Sequence, residues 1–178
     1  MDAISNVKSA DVQMIDSSIV RVHQHGSCIK RDEAYCTGRS RGGLTTKIHV
    51  VVDGRGPPVQ LALSPRQEHD SLIAVELSSN LQSQGLLFAD KAYDSDAIRK
   101  FVQDSGVWAN IPPRSNRKNP ISFSPHLYRD RNHVERFFNR IKQCRRIATR
   151  YEKFAENFLA FIKLAAIRLW LSNHESTP

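Results

Sequence analysis

The chain is poor in cysteine and has no long apolar run. Its three cysteines, Cys28, Cys36 and Cys144, form no CxxC pair, which argues against a structural zinc site and favours free thiols in a reducing compartment. No apolar run reaches the roughly 18 residues that a membrane-spanning helix needs, and the first residues show no signal-peptide pattern. We therefore expect a cytoplasmic protein without a membrane partner.

Acidic residues are scarce in one quarter of the chain. From residue 114 to residue 153 there are 12 Arg or Lys and 3 acidic residues, a balance of +9, whereas the other residues carry 14 basic and 15 acidic side chains, a balance of −1. Clustered basic charge suits a polyanion such as DNA, because each cation placed at a phosphate releases condensed counterions. The alternative at this point is a solvated basic surface.

Strand and helix patterns follow one another in a defined order. VQMIDSSIVRVH, LTTKIHVVVD and VQLALS predict three strands, whose short connections indicate antiparallel pairing. A helix over 70–81, a strand in GLLFAD, a helix capped by Ser95 and a strand in VWANIP come next. Ser124-Pro125 then predicts the start of a long basic helix, and AENFLAFIKLAAIRLWL predicts a last helix that is buried or packed against a partner.

This order predicts one mixed α/β domain. Its sheet has five strands, three of them antiparallel and the others in parallel α/β units, with helices on the faces. We expect the domain to cover residues 12–172, between a disordered leader at 1–11 and a polar tail at 173–178.

Two aspartates follow apolar strand segments. Asp16 lies within the first predicted strand, and Asp90 ends the fourth. A buried carboxylate is costly unless it is paired or binds a cation, although either residue could instead face solvent or cap a turn. Aspartates on neighbouring strands can supply oxygen ligands to one hard cation.

A third carboxylate lies on the predicted basic helix. At about 100° per residue, Tyr128, Arg131, Glu135 and Lys142 share one stripe, next to an apolar stripe of Val134, Phe137, Phe138 and Ile141. The alternative is an ordinary ion pair between Glu135 and Arg131 on a solvated face. Together, three carboxylates could hold two divalent ions, such as Mg²⁺, for in-line phosphoryl displacement.

The spacing Tyr-x2-Arg-x3-Glu-x6-Lys at Tyr128, Arg131, Glu135 and Lys142 resembles the YREK signature of DDE transposases from bacterial insertion sequences. MIDSSIVRVHQH and LFADKAYDS resemble the segments that carry the two aspartates of that family, and GRSRGGLTTKIHVVVD resembles its second-strand segment. The resemblance extends over nearly the whole chain, from Val12 to Leu171 approximately.

The resemblance implies a ribonuclease-H-like fold and a transposase activity. Asp16, Asp90 and Glu135 would be catalytic and would hold two Mg²⁺ ions, with Mn²⁺ as an alternative metal. The implied reaction is nicking of DNA at the termini of the element, followed by attack of the freed 3′-hydroxyl on target DNA. Transposon-end DNA, target DNA and further copies of the chain on that DNA are the implied partners.

Basic residues outside the carboxylate set are expected to hold DNA phosphates. The resemblance implies this role for Tyr128, Arg131 and Lys142, and the charge pattern extends it to Arg114, Arg117, Lys118, Arg145, Arg146 and Arg150. Trp108 and Trp170 are expected in the core.

Transposases of this group usually carry an N-terminal segment that helps bind the terminal repeats. This chain begins just before the first catalytic strand, so we expect either a second reading frame that acts with an N-terminal partner polypeptide or a truncated form. Two other functions stay open from the sequence: a ribonuclease-H-like nuclease without a role in transposition, and an inactive DNA-binding remnant that regulates an intact transposase.

Overall fold

A mixed sheet with helices on both faces forms the fold. The computed structural model describes residues 12–27, 35–66, 70–77, 85–119 and 121–175. Its strands are β1 (Val12–Val22), β2 (Gly38–Ser40), β3 (Gly43–Asp53), β4 (Pro58–Pro65), β5 (Leu86–Ala89), β6 (Trp108–Asn110) and β7 (Thr149–Arg150). Its helices are α1 (Asp70–Leu77), α2 (Asp96–Asp104), α3 (Pro125–Tyr128), α4 (Asn132–Ile141), α5 (Arg145–Ala148) and α6 (Ala155–Glu175).

The sheet combines antiparallel and parallel pairing in the predicted way. β3 pairs antiparallel with β1, β2 and β4, while β1 pairs parallel with β5, and β5 with β6. The five predicted strands are therefore confirmed. Two short strands, β2 and β7, were not predicted, because two or three residues are too few to show an alternating pattern.

The two faces of the sheet bury different side chains. Because successive strand residues point to opposite faces, Met14 and Val20 of β1 pack with α4 and α6, whereas Ile15 packs with α1 and α2. β3 is buried on both faces from Thr45 to Val52. Asp16 has the same parity as Met14, so it belongs to the face that α4 covers.

A gap opens in the sheet beside Asp16. Pairing of β1 with β5 ends at Ile15, and pairing with β7 begins only at Arg21. Among the described residues, the stretch from Asp16 to Val20 therefore has a strand partner only on the β3 side. Helix α4 packs across β1, on the face that carries Asp16.

The predicted helix starts at Asp70, after Ser95, at Pro125 and at Ala155 are confirmed, whereas the basic helix is broken. Ser95 accepts a hydrogen bond from the Ile98 amide and caps α2, which stops before Gly106 at φ +72°. Ser124 caps α3 in the same way. The basic helix was predicted to be continuous, but residues 129–131 form a 3₁₀ turn between α3 and α4, which winds the chain more tightly than an α-helix does.

The predicted positions of two tryptophans were wrong. Trp108 is 37% exposed and Trp170 is 47% exposed. Helix α6 buries one face through Phe158 and Ile162. Its other face carries the exposed apolar side chains of Leu164, Ile167, Trp170 and Leu171. None of the described helices is long and apolar enough to cross a membrane.

A pair of reciprocal hydrogen bonds joins the end of β6 to the start of α3. The side-chain Nδ2 of Asn110 donates to the Ser124 backbone carbonyl at 3.1 Å, and the Ser124 backbone amide donates to Oδ1 of Asn110 at 2.8 Å. Asn110 is fully buried, so this pair fixes both ends of the loop between them.

Some predictions fall on parts of the chain that the structure does not describe. The leader at residues 1–11, the last part of the predicted 70–81 helix and Cys28 lie outside the described residues. Cys144 is a free thiol. Helix α6 continues to Glu175, into the predicted tail.

Candidate active site

Asp16 lies in β1, next to the end of the neighbouring strand β5, which Asp90 directly follows. In the parallel register Ile15 is level with Ala89 as the last pair of the two strands, so Asp16 and Asp90 each come directly after this pair. The Asp90 carbonyl accepts a hydrogen bond from the Tyr93 amide at 2.9 Å, whereas the Asp90 side chain makes no capping hydrogen bond to that turn. The turn therefore uses the backbone of Asp90 and not its carboxylate.

The Asp16 carboxylate is largely buried and is held from two sides. Its Oδ1 accepts a hydrogen bond from the Ser17 amide at 2.8 Å, and its Oδ2 lies 3.1 Å from Nη1 of Arg131. Burial raises the pKa of Asp16; Arg131 and the Ser17 amide oppose this rise, and the charge of Asp90 adds to it. The net shift is upward, so the folded site disfavours the ionised form of this aspartate.

Arg131 joins carboxylates that come from different elements. Its Nη2 lies 2.9 Å from Oε1 of Glu135 on α4, while Nη1 contacts Asp16 on β1. Burial alone would lower the pKa of Arg131, but the charges of Asp16, Asp90 and Glu135 raise it above its usual value. The i, i+4 pair that the sequence left open is present, and it extends to the first strand.

Tyr128 lies within the field of all three carboxylates. Its ring is 5.5 Å from the Arg131 guanidinium. Burial raises the pKa of the Tyr128 phenol, and the charges of Asp90, Asp16 and Glu135 raise it further against the opposing effect of Arg131. The phenol therefore stays protonated at neutral pH and can donate a hydrogen bond.

Lys142 is oriented by a hydroxyl group of β1. Its Nζ donates to Oγ of Ser18 at 2.5 Å and lies 5.9 Å from the Phe138 ring centre. Burial lowers the pKa of Lys142. Ser18 was not among the predicted site residues, although the strand period of two places it on the same face as Asp16.

The basic loop after β6 is tied to the turn that follows Asp90. Arg117 donates to Asp94 at 2.9 Å and to Asp96 at 2.7 Å, and the guanidinium of Arg114 donates to the Ala92 carbonyl at 2.7 Å. Lys118 is exposed. Arg114 and Arg117, predicted to contact DNA, thus also anchor their own loop.

Asp94 is the buried centre of that anchor, and sequence reasoning missed it. Its carboxylate accepts hydrogen bonds from Arg99, from Arg117 and from the Arg114 amide. Burial by itself would raise the pKa of Asp94, but these donors outweigh burial and hold the pKa well below its usual range. Its position four residues after Asp90 carries no pattern by which the sequence distinguishes it.

The basic residues after α4 have different environments. Arg145 is exposed, and Arg146 pairs with Glu152 at 2.6 Å while stacking over Phe161. The expectation that Arg150 adds to a DNA surface was wrong, because its side chain is fully buried. It donates to Thr46 Oγ1 and to two backbone carbonyls, at 2.6–2.9 Å.

The carboxylate set suits a hard divalent cation in the kind of donor it offers. Asp16, Asp90 and Glu135 supply carboxylate oxygens, which such cations prefer. Within the described ranges, no three His, Cys, Asp or Glu side chains are gathered closely enough to form a metal cage. The guanidinium of Arg131 provides the positive charge between Asp16 and Glu135 in this structure.

Comparison with known families agrees with this geometry. Residues 8–170 match the Transposase DDE domain family. The chain belongs to the DDE transposase family. The DDE match contains all three carboxylates, the strands on which they depend and helix α4.

Individual relatives of this DDE domain are transposases. It is 37% identical over 129 residues to the protein assigned as the transposase for insertion sequence element IS6501 of Brucella ovis, covering 72% of the chain and 99% of that protein. It is 28% identical over 139 residues to the corresponding IS402 protein of Burkholderia cepacia, covering 72% of the chain and 63% of that protein. The chain thus spans less than two thirds of the IS402 protein.

The fold also matches a solved transposase. The piggyBac transposase in a synaptic complex with hairpin DNA superposes with a TM-score of 0.55 at 11% identity, over 89% of this chain and 46% of that one. The fold is ribonuclease-H-like, as expected. The protein is a transposase-type enzyme with a DDE catalytic domain, and enzymes of this kind generally use divalent metal ions.

Proposed function

We propose that this domain cuts DNA at the ends of an insertion sequence and joins the freed 3′-hydroxyl to target DNA. The observation that carries the proposal is the double contact of Arg131 with Asp16 and Glu135, beside the aligned Asp90. Carboxylates from a strand and a helix contact one guanidinium, whose pKa the charge of Asp90 also raises, next to a protonated phenol. Such an arrangement suits phosphodiester chemistry on a polyanion.

Asp16, Asp90 and Glu135 would hold divalent cations, Mg²⁺ or Mn²⁺. When bound, such cations activate the attacking oxygen and neutralise charge on the leaving oxygen. Asp16 comes from β1, Asp90 directly follows β5, and Glu135 comes from a helix packed on the core. Their geometry is therefore fixed by the fold before DNA binds.

The cationic and phenolic groups would position the scissile strand. Arg131 can offer two parallel N–H donors to one phosphate, a geometry that lysine cannot reproduce. Tyr128 can donate its hydroxyl hydrogen to a phosphate oxygen, and Lys142 adds a point charge whose place is set by Ser18. We propose that these three residues position the DNA backbone next to the carboxylates and do not contribute to sequence specificity.

Two steps would use the same site. In the first, a water oxygen attacks the phosphorus and the bond to the 3′-oxygen breaks, which leaves a 3′-hydroxyl and a 5′-phosphate. In the second, that 3′-hydroxyl attacks a target phosphate and a target 3′-oxygen leaves. Each step exchanges one phosphorus–oxygen bond for another, so neither needs an additional reactant.

Cleavage of a labelled duplex tests the proposal. The duplex carries the terminal repeat of the element, and wild type is compared with Glu135→Gln in Mg²⁺ or Mn²⁺. Glu156→Gln is the matched control, because Glu156 is an exposed helical glutamate on α6, away from the carboxylates. We expect nicking and strand transfer to be lost in Glu135→Gln alone, while gel-shift binding stays within about threefold, since this change removes a metal ligand and not a phosphate contact.

Other outcomes of this experiment would favour one of the two alternative functions. Carboxylate-dependent cleavage without preference for the repeat favours a nuclease that does not transpose. Binding without cleavage in all three proteins, including in the presence of an N-terminal partner polypeptide, favours a regulatory remnant. The proposed homo-oligomer on DNA is tested in parallel by the mass of the protein–DNA complex in light scattering.

A further inference from the structure

A second basic site lies on the other face of the sheet from the carboxylates. A cleft of about 450 Å³ is lined by Arg21, Arg41 and Arg66, together with the hydroxyl-bearing Ser40 and Thr45. All three arginines are exposed. None of them was singled out in the sequence, because they are distant from one another along the chain and lie outside the basic quarter.

Strand register brings these arginines together. Arg21 of β1 is level with Thr45 of β3, and Thr46 is level with Pro65, which precedes Arg66. Arg41 lies in the turn between β2 and β3, whose paired ends are Ser40 and Gly43. Three segments separated in sequence therefore meet at one end of β3.

The cleft is separate from the carboxylate site. Asp16 and Arg21 differ by five positions on β1, so they point to opposite faces and lie about 17 Å apart along the strand. Ser18, on the Asp16 face, contacts Lys142 of the catalytic helix, whereas Ile19, on the other face, lines the cleft. A phosphate in this cleft cannot be the scissile phosphate at Asp16.

Among the residues that the structure describes, none is a counter-ion for the guanidinium groups of this cleft. Within the described ranges, neither an ion pair nor a side-chain hydrogen bond is formed by Arg21, Arg41 or Arg66, whereas Arg117, Arg131 and Arg146 each pair with an acidic residue. Like charges that line one cleft repel each other, and an anion between them removes this cost. The cleft thus has the charge and the donors for an external oxyanion.

The turn is shaped to receive the Arg21 side chain. A Cβ atom on Gly42 would lie 2.8 Å from Nη2 of Arg21, so a larger residue at this position would shift the flexible end of the Arg21 side chain. The turn itself is held by Ser40, whose hydroxyl donates to the Gly43 carbonyl at 2.9 Å and accepts from the Gly42 amide at 3.2 Å. This contact limits the positions that Arg21 can adopt.

We propose that Arg21, Arg41 and Arg66 form a second DNA-binding site that holds backbone phosphates of a duplex segment away from the scissile position. The proposal rests on the proposed DNA-joining function for its choice of ligand. Planar guanidinium groups suit phosphate oxygens, and a wide, exposed cleft suits a duplex backbone better than a small enclosed anion. The duplex is either target DNA or a flanking part of the end DNA, and the assays below distinguish the two.

Salt dependence of DNA binding tests this site without requiring catalysis. Arg21→Gln/Arg41→Gln is compared with wild type and with Lys163→Gln/Arg168→Gln, which removes the same charge from exposed positions on α6. Binding to end and target duplexes is measured in metal-free buffer at several salt concentrations. For the duplex that the cleft holds, we expect the affinity of the double variant at low salt to be lower by about tenfold or more. The slope of log affinity against log salt should fall in magnitude by about 2, because each lost phosphate contact reduces it by about 1. The α6 control should match wild type.

A second variant keeps the positive charge of Arg21 and shifts the position of its guanidinium group. Gly42→Ala should displace the flexible end of Arg21 and weaken binding by a few-fold, with an unchanged melting temperature that shows a folded protein. Loss on target duplex alone assigns the cleft to target DNA, and loss on end duplex alone assigns it to the flanking end. Wild-type affinity and slope for both duplexes in the folded double variant would overturn the proposal, as would an equal loss in the α6 control.

This readout is independent of the proposed chemistry. Failure of nicking in the Glu135 experiment leaves the binding slopes measurable, and normal slopes in the cleft variant leave the carboxylate assignment untouched. The two inferences can therefore fail separately.

Discussion

Nη1 of Arg131 lies 3.1 Å from Oδ2 of Asp16, which links the turn before α4 directly to β1. The second nitrogen of the same guanidinium contacts Glu135. Arg131 therefore neutralises the carboxylates that are proposed to receive divalent cations. A cation that binds between Asp16 and Glu135 competes with this guanidinium.

Replacing Arg131 should tighten cation binding. We expect Arg131→Gln to lower the Mn²⁺ concentration at half-maximal thermal stabilisation by roughly 3- to 10-fold, because a competing positive charge is removed. DNA cleavage should fall in the same variant, because a phosphate contact is lost. Arg129→Gln is the control, since Arg129 is an exposed arginine of the same turn. A midpoint that is unchanged or higher in Arg131→Gln would contradict the competition.

The buried carboxylate of Asp94 predicts a pH-dependent stability. Its pKa is lower in the folded protein than in the unfolded chain, so its stabilising effect is present above the ordinary carboxyl pKa and is lost as pH falls below about 4. Asp94→Asn should lower the free energy of unfolding by about 3 kcal/mol at pH 7, because it leaves buried donors without their charged partner.

Denaturant titrations at several pH values measure this effect. The difference between wild type and Asp94→Asn should stay nearly constant above about pH 4 and shrink as the pH falls further. Asp96→Asn should change stability little, because Asp96 pairs with the same Arg117 but its side chain is 90% exposed. A difference that stays constant into the acid range would show that Asp94 acts by packing and not by charge.

Ser18 should affect DNA affinity and not the chemical step. Removing its hydroxyl in Ser18→Ala leaves the Lys142 ammonium without its 2.5 Å partner, so Lys142 becomes less well placed for a phosphate. We expect KM for DNA to rise about three- to tenfold with little change in kcat. Ser17→Ala, the neighbouring position on the opposite face, is the control. A fall in kcat at constant KM would place Ser18 in the chemistry instead.

Arg150 should be structural. Arg150→Met keeps the apolar volume against Phe158 but removes donors to Thr46 and to two backbone carbonyls. We expect the free energy of unfolding to fall by about 3 kcal/mol, with DNA affinity unchanged under conditions where the variant is folded. Arg145→Met, at an exposed position of α5, should do the reverse and lose affinity while keeping stability. Calorimetry and gel shifts on the two variants separate these effects.

The strands and the catalytic stripe were predictable because their signals are local. The apolar segments of β1, β3 and β4, the Ser95 and Ser124 caps and the offsets from Tyr128 to Lys142 depend only on neighbouring residues. These signals were enough to select Asp16, Asp90 and Glu135, whose placement on two adjacent strands and one helix agrees with the register.

The features that could not be predicted from the sequence depend on contacts between residues that are distant along the chain. Arg150 and Arg145 look alike in a basic segment, yet β7 carries Arg150 into the core beside Thr46. The same limit applies to Asp94, whose donors lie up to 23 residues away, and to the Arg21 cleft, which three strand registers assemble. The local pattern of α6 likewise does not show how much of the helix the sheet can cover.

The pairing of Asn110 with Ser124 has a consequence for how this domain can diversify. Both ends of the intervening loop are fixed by the same two hydrogen bonds, and the entropic cost of closing a longer loop grows only slowly with its length. Residues added at the exposed positions Ser115 and Asn116 would therefore leave β6, α3 and the carboxylates in place. Evolution or protein engineering could graft a new recognition module at this point and retain the catalytic framework.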